Sequence, residues 1–324
     1  MRDTAILLMA YGTPSAEDDI EVYLTDIRRG QRSRPEMVED LKNRYRKIGG
    51  RSPLLEIVKA QAAALEELLN SQGVETRVFV GMKHWYPYIR EVVPQIAAAG
   101  FQRIIALALA PHYSRISIGG YRDALDKAVR DLYRLQVDFI ESWHDHPSFH
   151  AAVAQNVVNA LNRFALEKRN KVTVIFTAHS LPERILEWND PYPEQLHESC
   201  RAVADLLGIK SWSFAYQSGR HSGEKWLGPD ILEVLEEIGR KSTGASVLIV
   251  PIGFVADHLE ILHDIDIEAQ LFAKAHGLIL NRSESLNTDP KFISALADIV
   301  RKRFVVTQPF KTADGLSTRS DTNV

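Results

Sequence analysis

Residues 245–270 read ASVLIVPIGFVADHLEILHDIDIEAQ, and the pattern changes part-way along. Ala245–Val250 is a short, β-branched apolar run, the composition of a strand buried on both faces of a parallel sheet. Ile252-Gly253-Phe254-Val255 then leads into a helical pattern carrying Glu260, Asp264 and Glu268. On an α-helix each four-residue step drifts by about 40°. The three carboxylates would therefore form one ridge, starting near the carboxyl end of a strand, the edge where open α/β sheets bind ligands. A solvated acidic face would show the same spacing. What favours a site is a second stretch, Thr177–Glu183 (TAHSLPE), which also follows a buried strand and puts His179 at its end. A histidine and a carboxylate ridge at two strand ends could together hold a divalent metal ion.

Outward from here, strand-like runs alternate with helical patterns along the chain, the signature of βαβ architecture. In the first half strands are expected at Thr4–Met9, Glu75–Val80, Arg103–Leu109 and Gln136–Ser142, with helices over Glu36–Lys47, Leu54–Gln72, Tyr88–Ala99 and Tyr121–Leu132. In the second, strands are expected at Val172–Thr177, Ser211–Gln217, Ser246–Pro251 and Leu278–Leu280. Helices there cover His150–Lys168, Pro193–Leu207, Asp230–Gly239, the carboxylate segment and Pro290–Phe304. The halves repeat one plan. Leu7–Pro14 reads LLMAYGTP and Ile175–Pro182 reads IFTAHSLP, so alignment on the prolines sets Tyr11 against His179. If both sheets present their carboxyl ends to one cleft, those two residues face each other across it. The expected boundaries are 1–148 and 149–306, with the last helix packing back on the first domain. Residues 307–324 form a polar, patternless tail expected to be disordered.

A chain of 324 residues suits two α/β domains. A net charge of -3 argues against a general nucleic-acid binder. No apolar run approaches the roughly 18–20 residues that span a bilayer. The opening MRDTAILLMAYG reads as a first strand rather than a secretory leader. One cysteine, Cys200, excludes an intrachain disulfide and any multi-cysteine metal or iron–sulfur site. There is no G-x-G-x-x-G after the first strand and no G-x-x-x-x-G-K-[ST], which argues against dinucleotide or ATP chemistry. A cytoplasmic enzyme is expected.

With these stretches in view, the chain resembles the ferrochelatases, which insert ferrous iron into a porphyrin. MAYGTP (Met9–Pro14), IRRG (Ile27–Gly30), RYRKIGGRSP (Arg44–Pro53), GMKHW (Gly81–Trp85) and LAPHYS (Leu109–Ser114) carry the likeness in the first half. DPYPEQLHES (Asp190–Ser199), WLGPD (Trp226–Asp230) and FVADHLE (Phe254–Glu260) carry it in the second. Tyr11 and the absence of cluster cysteines make it most similar to the coproporphyrin III ferrochelatases of Gram-positive bacteria. The resemblance implies two Rossmann-like, chelatase-type domains, each a four-stranded parallel sheet flanked by helices, with the active cleft between them. It implies a monomer with Fe(II) as substrate and no prosthetic group. His179 and Glu260 would be the metal-binding and catalytic pair, with Tyr11 on the opposite face of the porphyrin. Arg28, Arg44, Tyr45, Ser52 and Tyr121 would contact the macrocycle or its propionates. Asp264 and Glu268 would continue a metal or proton route, on a helix that in this family has a π-type stretch. Lys83 and His84 match a polar pair near the cleft. Transient contact with the upstream porphyrin-producing oxidase or the downstream coproheme-processing enzyme would follow from such a place in haem biosynthesis.

The residue types suit that chemistry. Imidazole and carboxylate bind Fe(II) without the grip of several thiolates, and an imidazole near its ordinary pKa of about 6.5 can also take a pyrrole proton. His258 and His263, five residues apart, diverge on an α-helix and are expected at the surface or behind the ligands. Between Arg28 and Arg51 nine basic residues face three acidic ones, a local balance of +6. Arginines at a cleft mouth would pair with propionates, and four propionates would satisfy them better than two. The same residues also fit a protoporphyrin IX or cobalt-inserting chelatase, or a haem carrier using Tyr11 as axial ligand. Nothing reads as an amphipathic membrane-docking segment.

Overall fold

The unalternating apolar run at the start of the chain forms β1 (Thr4–Ala10), buried along its whole length. Such a strand must be covered on both faces. The computed structural model, which describes residues 3–219 and 223–305, shows how. β1 pairs in parallel with β2 (Val78–Met82) on one side and β3 (Arg103–Ala108) on the other, and β4 (Gln136–Ile140) completes a four-stranded sheet in the order β2-β1-β3-β4. The second half repeats the plan. β5 (Thr173–His179), β6 (Trp212–Gln217), β7 (Ser246–Val250) and β8 (Ile279–Arg282) run parallel in the order β6-β5-β7-β8. The equivalence of β1 with β5 that the LLMAYGTP and IFTAHSLP stretches suggest is therefore an equivalence of central strands.

The helices are α1 (Ile20–Ile27), α2 (Pro35–Lys47) and α3 (Leu54–Ser71) before β2, then α4 (Ile89–Ala98) and α5 (Ile118–Val129). The second half contributes α6 (Pro147–Leu161), α7 (Tyr192–Leu207) and α8 (Ile231–Lys241). A π-helix, Glu260–Ala269, then runs into α9 (Gln270–Ala275), and α10 (Pro290–Val305) closes the described chain. α3 shows why its segment is helical: Val58, Ala62, Leu65 and Leu69 recur at helical spacing and are the apolar residues it buries.

One apolar cluster runs through both halves, joining Ile6, Leu8, Leu65 and Leu69 to Phe149, Val157, Phe292 and Leu296. α10 packs against both α3 and α6. The Arg103 Nη2 donates to the Arg303 carbonyl at 3.0 Å, tying β3 to the end of α10. The expected tail, 307–324, lies outside the described residues. No helix among the described residues is long and apolar enough to cross a membrane.

Three elements differ from expectation for local reasons. β2 begins at Val78 rather than Glu75. Side chains of α3 take the intervening backbone: Asn70 Oδ1 accepts from Thr76 N at 3.0 Å and Glu66 Oε2 from Val78 N at 2.7 Å. α6 ends at Leu161 rather than Lys168, because Arg169 folds back to donate to the carbonyls of Phe164 and Asn162 at 3.1 and 2.8 Å. α1 was not anticipated; its segment buries only Ile20 and Tyr23 and so shows little periodicity.

Candidate active site

At the carboxyl end of β1 the chain turns through Gly12 with φ +101°, where a Cβ would meet the Trp85 backbone nitrogen at 2.9 Å. Only glycine lets the two strand-end loops lie this close. Backbone bonds then lock them together: Lys83 N to Ala10 O and His84 N to Tyr11 O, both 2.9 Å. Three groups are thereby set side by side. The His84 ring lies 4.6 Å from that of Tyr11, and its Nδ1 is 2.8 Å from Asp26 Oδ2. The Lys83 Nζ sits 5.2 Å from the Tyr121 ring centre and 5.9 Å from that of Tyr11. Burial, with the Arg29 charge, lowers the Lys83 pKa to about 8. Tyr11 is 42% exposed. Desolvation by the cleft walls and the charges of Glu260 and Asp26 push its phenol far above the ordinary range.

At the equivalent end of β5, the loop after β7 approaches as closely. A Cβ on Gly253 would lie 2.5 Å from the Ala178 Cβ, and Gly253 N donates to Thr177 O at 3.1 Å. This close approach carries residues 254–260 alongside His179. The His179 Nδ1 is hydrogen-bonded to the Ser180 carbonyl. A carbonyl only accepts, so Nδ1 holds a proton, and in its neutral form the ring turns an Nε2 lone pair outward. Nε2 lies 3.4 Å from Glu260 Oε1. His258 repeats the arrangement, with Nδ1 donating to Ala256 O at 3.0 Å and Nε2 3.5 Å from Glu260 Oε2. Two oriented imidazoles thus flank one carboxylate. Burial alone would lower the His179 pKa, but the charge and hydrogen bond of Glu260 raise it to about 8. Glu260 is held well below the usual carboxylate range, because His179 and His258 outweigh the opposing effect of burial.

The ridge behind Glu260 lies on the π-helix rather than on an α-helix. Its i→i+5 bonding gives more than four residues per turn, so steps of four fall just short of a turn instead of just beyond it. Glu260, Asp264 and Glu268 still share one face, with the slope reversed. Asp264 is firmly engaged: one oxygen pairs with the Arg44 guanidinium of α2, the other accepts from the Ser218 hydroxyl. His263 Nδ1 lies 3.0 Å from Asp264 Oδ1 and 3.4 Å from Arg44 Nε. His263 is buried behind Asp264, the second of the two placements expected of it. Arg44 is likewise only 6% exposed and joins the two halves rather than standing at the rim. Glu268, at the outer end, has its pKa raised by partial desolvation and by the Asp264 charge. Ligand atoms of His263, Asp264 and Glu268 come within 4.8 Å of one another.

All of these groups line a single cleft of about 2080 Å³ between the two sheets. Ordinary small-molecule pockets measure roughly 300–1,000 Å³, so there is room for a macrocycle and water. Tyr11, Arg28, Arg44, Tyr45, Ser52, Lys83, His84, Tyr121, His179, Glu260, Asp264 and Glu268 all contribute to its walls. Tyr45 is fixed by a 2.8 Å bond between its hydroxyl and Thr13 Oγ1, and burial raises its phenol to about 12. Ser52 Oγ accepts from Leu54 N at 3.3 Å. Sequence reasoning passed over Tyr192, Gln217, Ser218 and Trp226, which also line the cleft. Gln217 ends β6, the edge strand beside β5, and Ser218 follows it, so the strand-end rule that found His179 would have found them too.

Comparison with known proteins agrees with this geometry. The ferrochelatase family model matches residues 3–304. The ferrochelatase of Herpetosiphon aurantiacus is 45% identical over 299 residues, covering 92% of this chain and 98% of that one. The coproporphyrin III ferrochelatase of Bacillus subtilis is 38% identical over 300 residues, covering 92% and 97%, and that of a Geobacillus species is 40% identical, covering 92% and 97%. Among solved structures, SirB from Bacillus subtilis with Fe3+ superposes with a TM-score of 0.57 at 14% identity, covering 93% of this chain and 95% of that one, which shows a shared fold. The chain belongs to the ferrochelatase family, the enzymes that place ferrous iron in a porphyrin.

Proposed function

We propose that this ferrochelatase acts on coproporphyrin III, giving Fe-coproporphyrin III, as a cytoplasmic monomer whose halves 1–148 and 149–306 clamp the ring. The observation that carries the site assignment is the His179 Nε2–Glu260 Oε1 pair at 3.4 Å, with His258 on the other oxygen, in the same cleft as Tyr11. Insertion requires that iron lose water, that the ring expose a nitrogen lone pair, and that two pyrrole protons leave. The outward Nε2 of His179 and the Glu260 carboxylate offer a nitrogen and oxygen donor set for Fe(II) and acceptors for those protons. Ferrous iron is a substrate, and no prosthetic group enters the scheme. Clamping between the halves would distort the ring, with binding energy from its periphery offsetting the strain.

Support for the four-propionate ring comes from the cationic lining and from the relatives of Geobacillus and Bacillus subtilis named above. Arg28 and Arg29 are exposed at the end of α1, and with Arg34 and Lys83 they line the cleft. Arg46, by contrast, is taken up by Glu17 and Glu39 on the surface, so only part of the basic segment serves the ring. The test is steady-state insertion of Fe(II), without oxygen, into coproporphyrin III and protoporphyrin IX in dilute detergent. Higher kcat/KM with coproporphyrin III, lowered by Arg28→Ala and by added salt, is expected. Preference for protoporphyrin IX would reject the substrate while leaving the chelatase assignment in place.

A further inference from the structure

Two residues that the insertion scheme does not use, Asp190 and Tyr192, join the walls of the cleft. Asp190 stands before α7, just after a left-handed turn at Asn189, and is 9% exposed. Its Oδ1 accepts from Tyr192 N at 3.0 Å, which satisfies an otherwise unpaired amide at the start of α7. A helix cap needs no more than that. The other oxygen reaches into the opposite half of the molecule, accepting from Arg115 N at 2.8 Å and from the fully buried Ser114 hydroxyl at 3.1 Å. That loop follows β3 and runs directly into α5, which carries Tyr121 on the cleft wall. Tyr192 in turn is 7% exposed and donates its hydroxyl to the His179 backbone carbonyl at 2.9 Å. Gln195, on the next turn of α7, braces the same loop by accepting from Tyr113 N at 2.6 Å.

We propose that Asp190 and Tyr192 are positioning residues that set the distance between His179 and the N-terminal wall of the cleft. The inference rests on the assignment of His179 to metal insertion. A ring lying against Tyr11 and Tyr121 presents its nitrogens at a fixed height above that wall. His179 acts on them only if its own strand end is held at a matching height. The path from the loop before α5 through Asp190 and Tyr192 to His179 fixes that height with four hydrogen bonds. Misplacement of a reacting group by about 1 Å can cost on the order of 100-fold in rate.

Tyr192→Phe keeps the ring and removes only the hydroxyl. Asp190→Asn keeps a cap oxygen for Tyr192 N but turns an NH2 group toward Arg115 N. Insertion of Zn(II) and Fe(II), porphyrin affinity by fluorescence quenching, and thermal unfolding are measured for both variants and the wild type, well below the unfolding temperature. The expected result for Tyr192→Phe is a kcat lowered about tenfold, with KM for porphyrin unchanged. Asp190→Asn should lose more, in kcat again. A wild-type kcat in Tyr192→Phe overturns the inference, as does a loss that appears in porphyrin KM and unfolding temperature but not in kcat. Should Asp190→Asn fail to fold, Tyr192→Phe alone decides. His179→Ala is measured alongside: insertion near the wild-type rate there rejects the assignment of His179 instead, so the two failures are distinguishable.

Discussion

Lys83 is a site where function and stability oppose each other, and Lys83→Met measures both. The ammonium lies between the Tyr11 and Tyr121 rings, and its pKa falls from 10.5 to about 8, chiefly through burial and secondarily through the Arg29 charge. At about 1.4 kcal/mol per tenfold change in proton affinity this amounts to roughly 3 kcal/mol of destabilisation of the charged form. Partial exposure of the site trims it to about 1–3 kcal/mol. The sign follows from proton binding. Between pH 8 and 10.5 the unfolded chain holds the lysine proton and the folded chain has released it, so stability rises with pH across that window. Below pH 8 both states are protonated and the full penalty is present. Lys83→Met should therefore be the more stable protein at pH 7 by about 1–3 kcal/mol, with the gap closing as pH approaches 10.5. Urea unfolding at several pH values reads it.

The functional side has its own signature. A propionate beside Lys83 would raise its pKa again, so porphyrin binding at pH 8.5 should take up about three-quarters of a proton from an amine with pKa about 8. Titration calorimetry in buffers of different ionisation enthalpy counts that proton, and the methionine variant should lack it. The reasoning is refuted if Lys83→Met is no more stable than wild type at pH 7. It is equally refuted if the variant takes up the same fraction of a proton.

Other substitutions test the rest of the site. His179→Ala should lower insertion by about 10³-fold or more while porphyrin still quenches fluorescence as in wild type; insertion near the wild-type rate would remove His179 from the mechanism. Glu260→Gln, which keeps volume and loses charge, should cost at least about 10²-fold, and Glu268→Gln far less; equal small effects would make the ridge a solvated face. Asp264→Ala strands the buried Arg44 guanidinium and should destabilise by about 3 kcal/mol, most of it recovered in the double variant with Arg44→Met. Additive losses in urea unfolding of the four proteins would show that the pair is uncoupled.

The parts visible in the sequence were those written locally. Runs such as Ile104–Ala108 and Val247–Val250 are β-branched or small and unalternating, so their burial in parallel sheets follows from composition. The strand-end rule placed Tyr11 and His179 on the cleft because both immediately follow such runs. What escaped notice depends on partners far along the chain. Arg44 reads as one of a basic series until Asp264, 220 residues away, buries it. His258 reads only as lying at the surface or behind the ligands; the loop held by Gly253 and the start of the π-helix place its Nε2 3.5 Å from the Glu260 carboxylate. The π-helix shifts each backbone bond by one residue without altering side-chain chemistry, so no residue type announces it and only the family resemblance implied it.

The duplicated plan also locates a difference between the two walls of the cleft. Two copies of the same strand-end turn, one after β1 and one after β5, supply opposed loops, and glycines at 12 and 253 let each pack tightly against a neighbouring strand end. That much is shared scaffold. The difference sits at the aligned pair Tyr11 and His179. Burial and the Glu260 charge keep the Tyr11 phenol neutral, whereas the same Glu260 charge draws the His179 imidazole toward protonation near pH 8. One carboxylate thus favours the protonated form on both walls, a neutral phenol on one and an imidazolium on the other. On the proposed reading, a ring held between them would meet a neutral phenol on one face and the His179–Glu260 pair on the other. Replacing Glu260 should therefore disturb both faces: it removes the partner of His179 and relieves the phenol of a nearby negative charge. Loss of activity in Glu260→Gln accordingly reports on the asymmetry of the cleft as well as on a missing ligand. Tyr11→Phe separates the two, because it alters the phenol face while leaving His179, His258 and Glu260 in place.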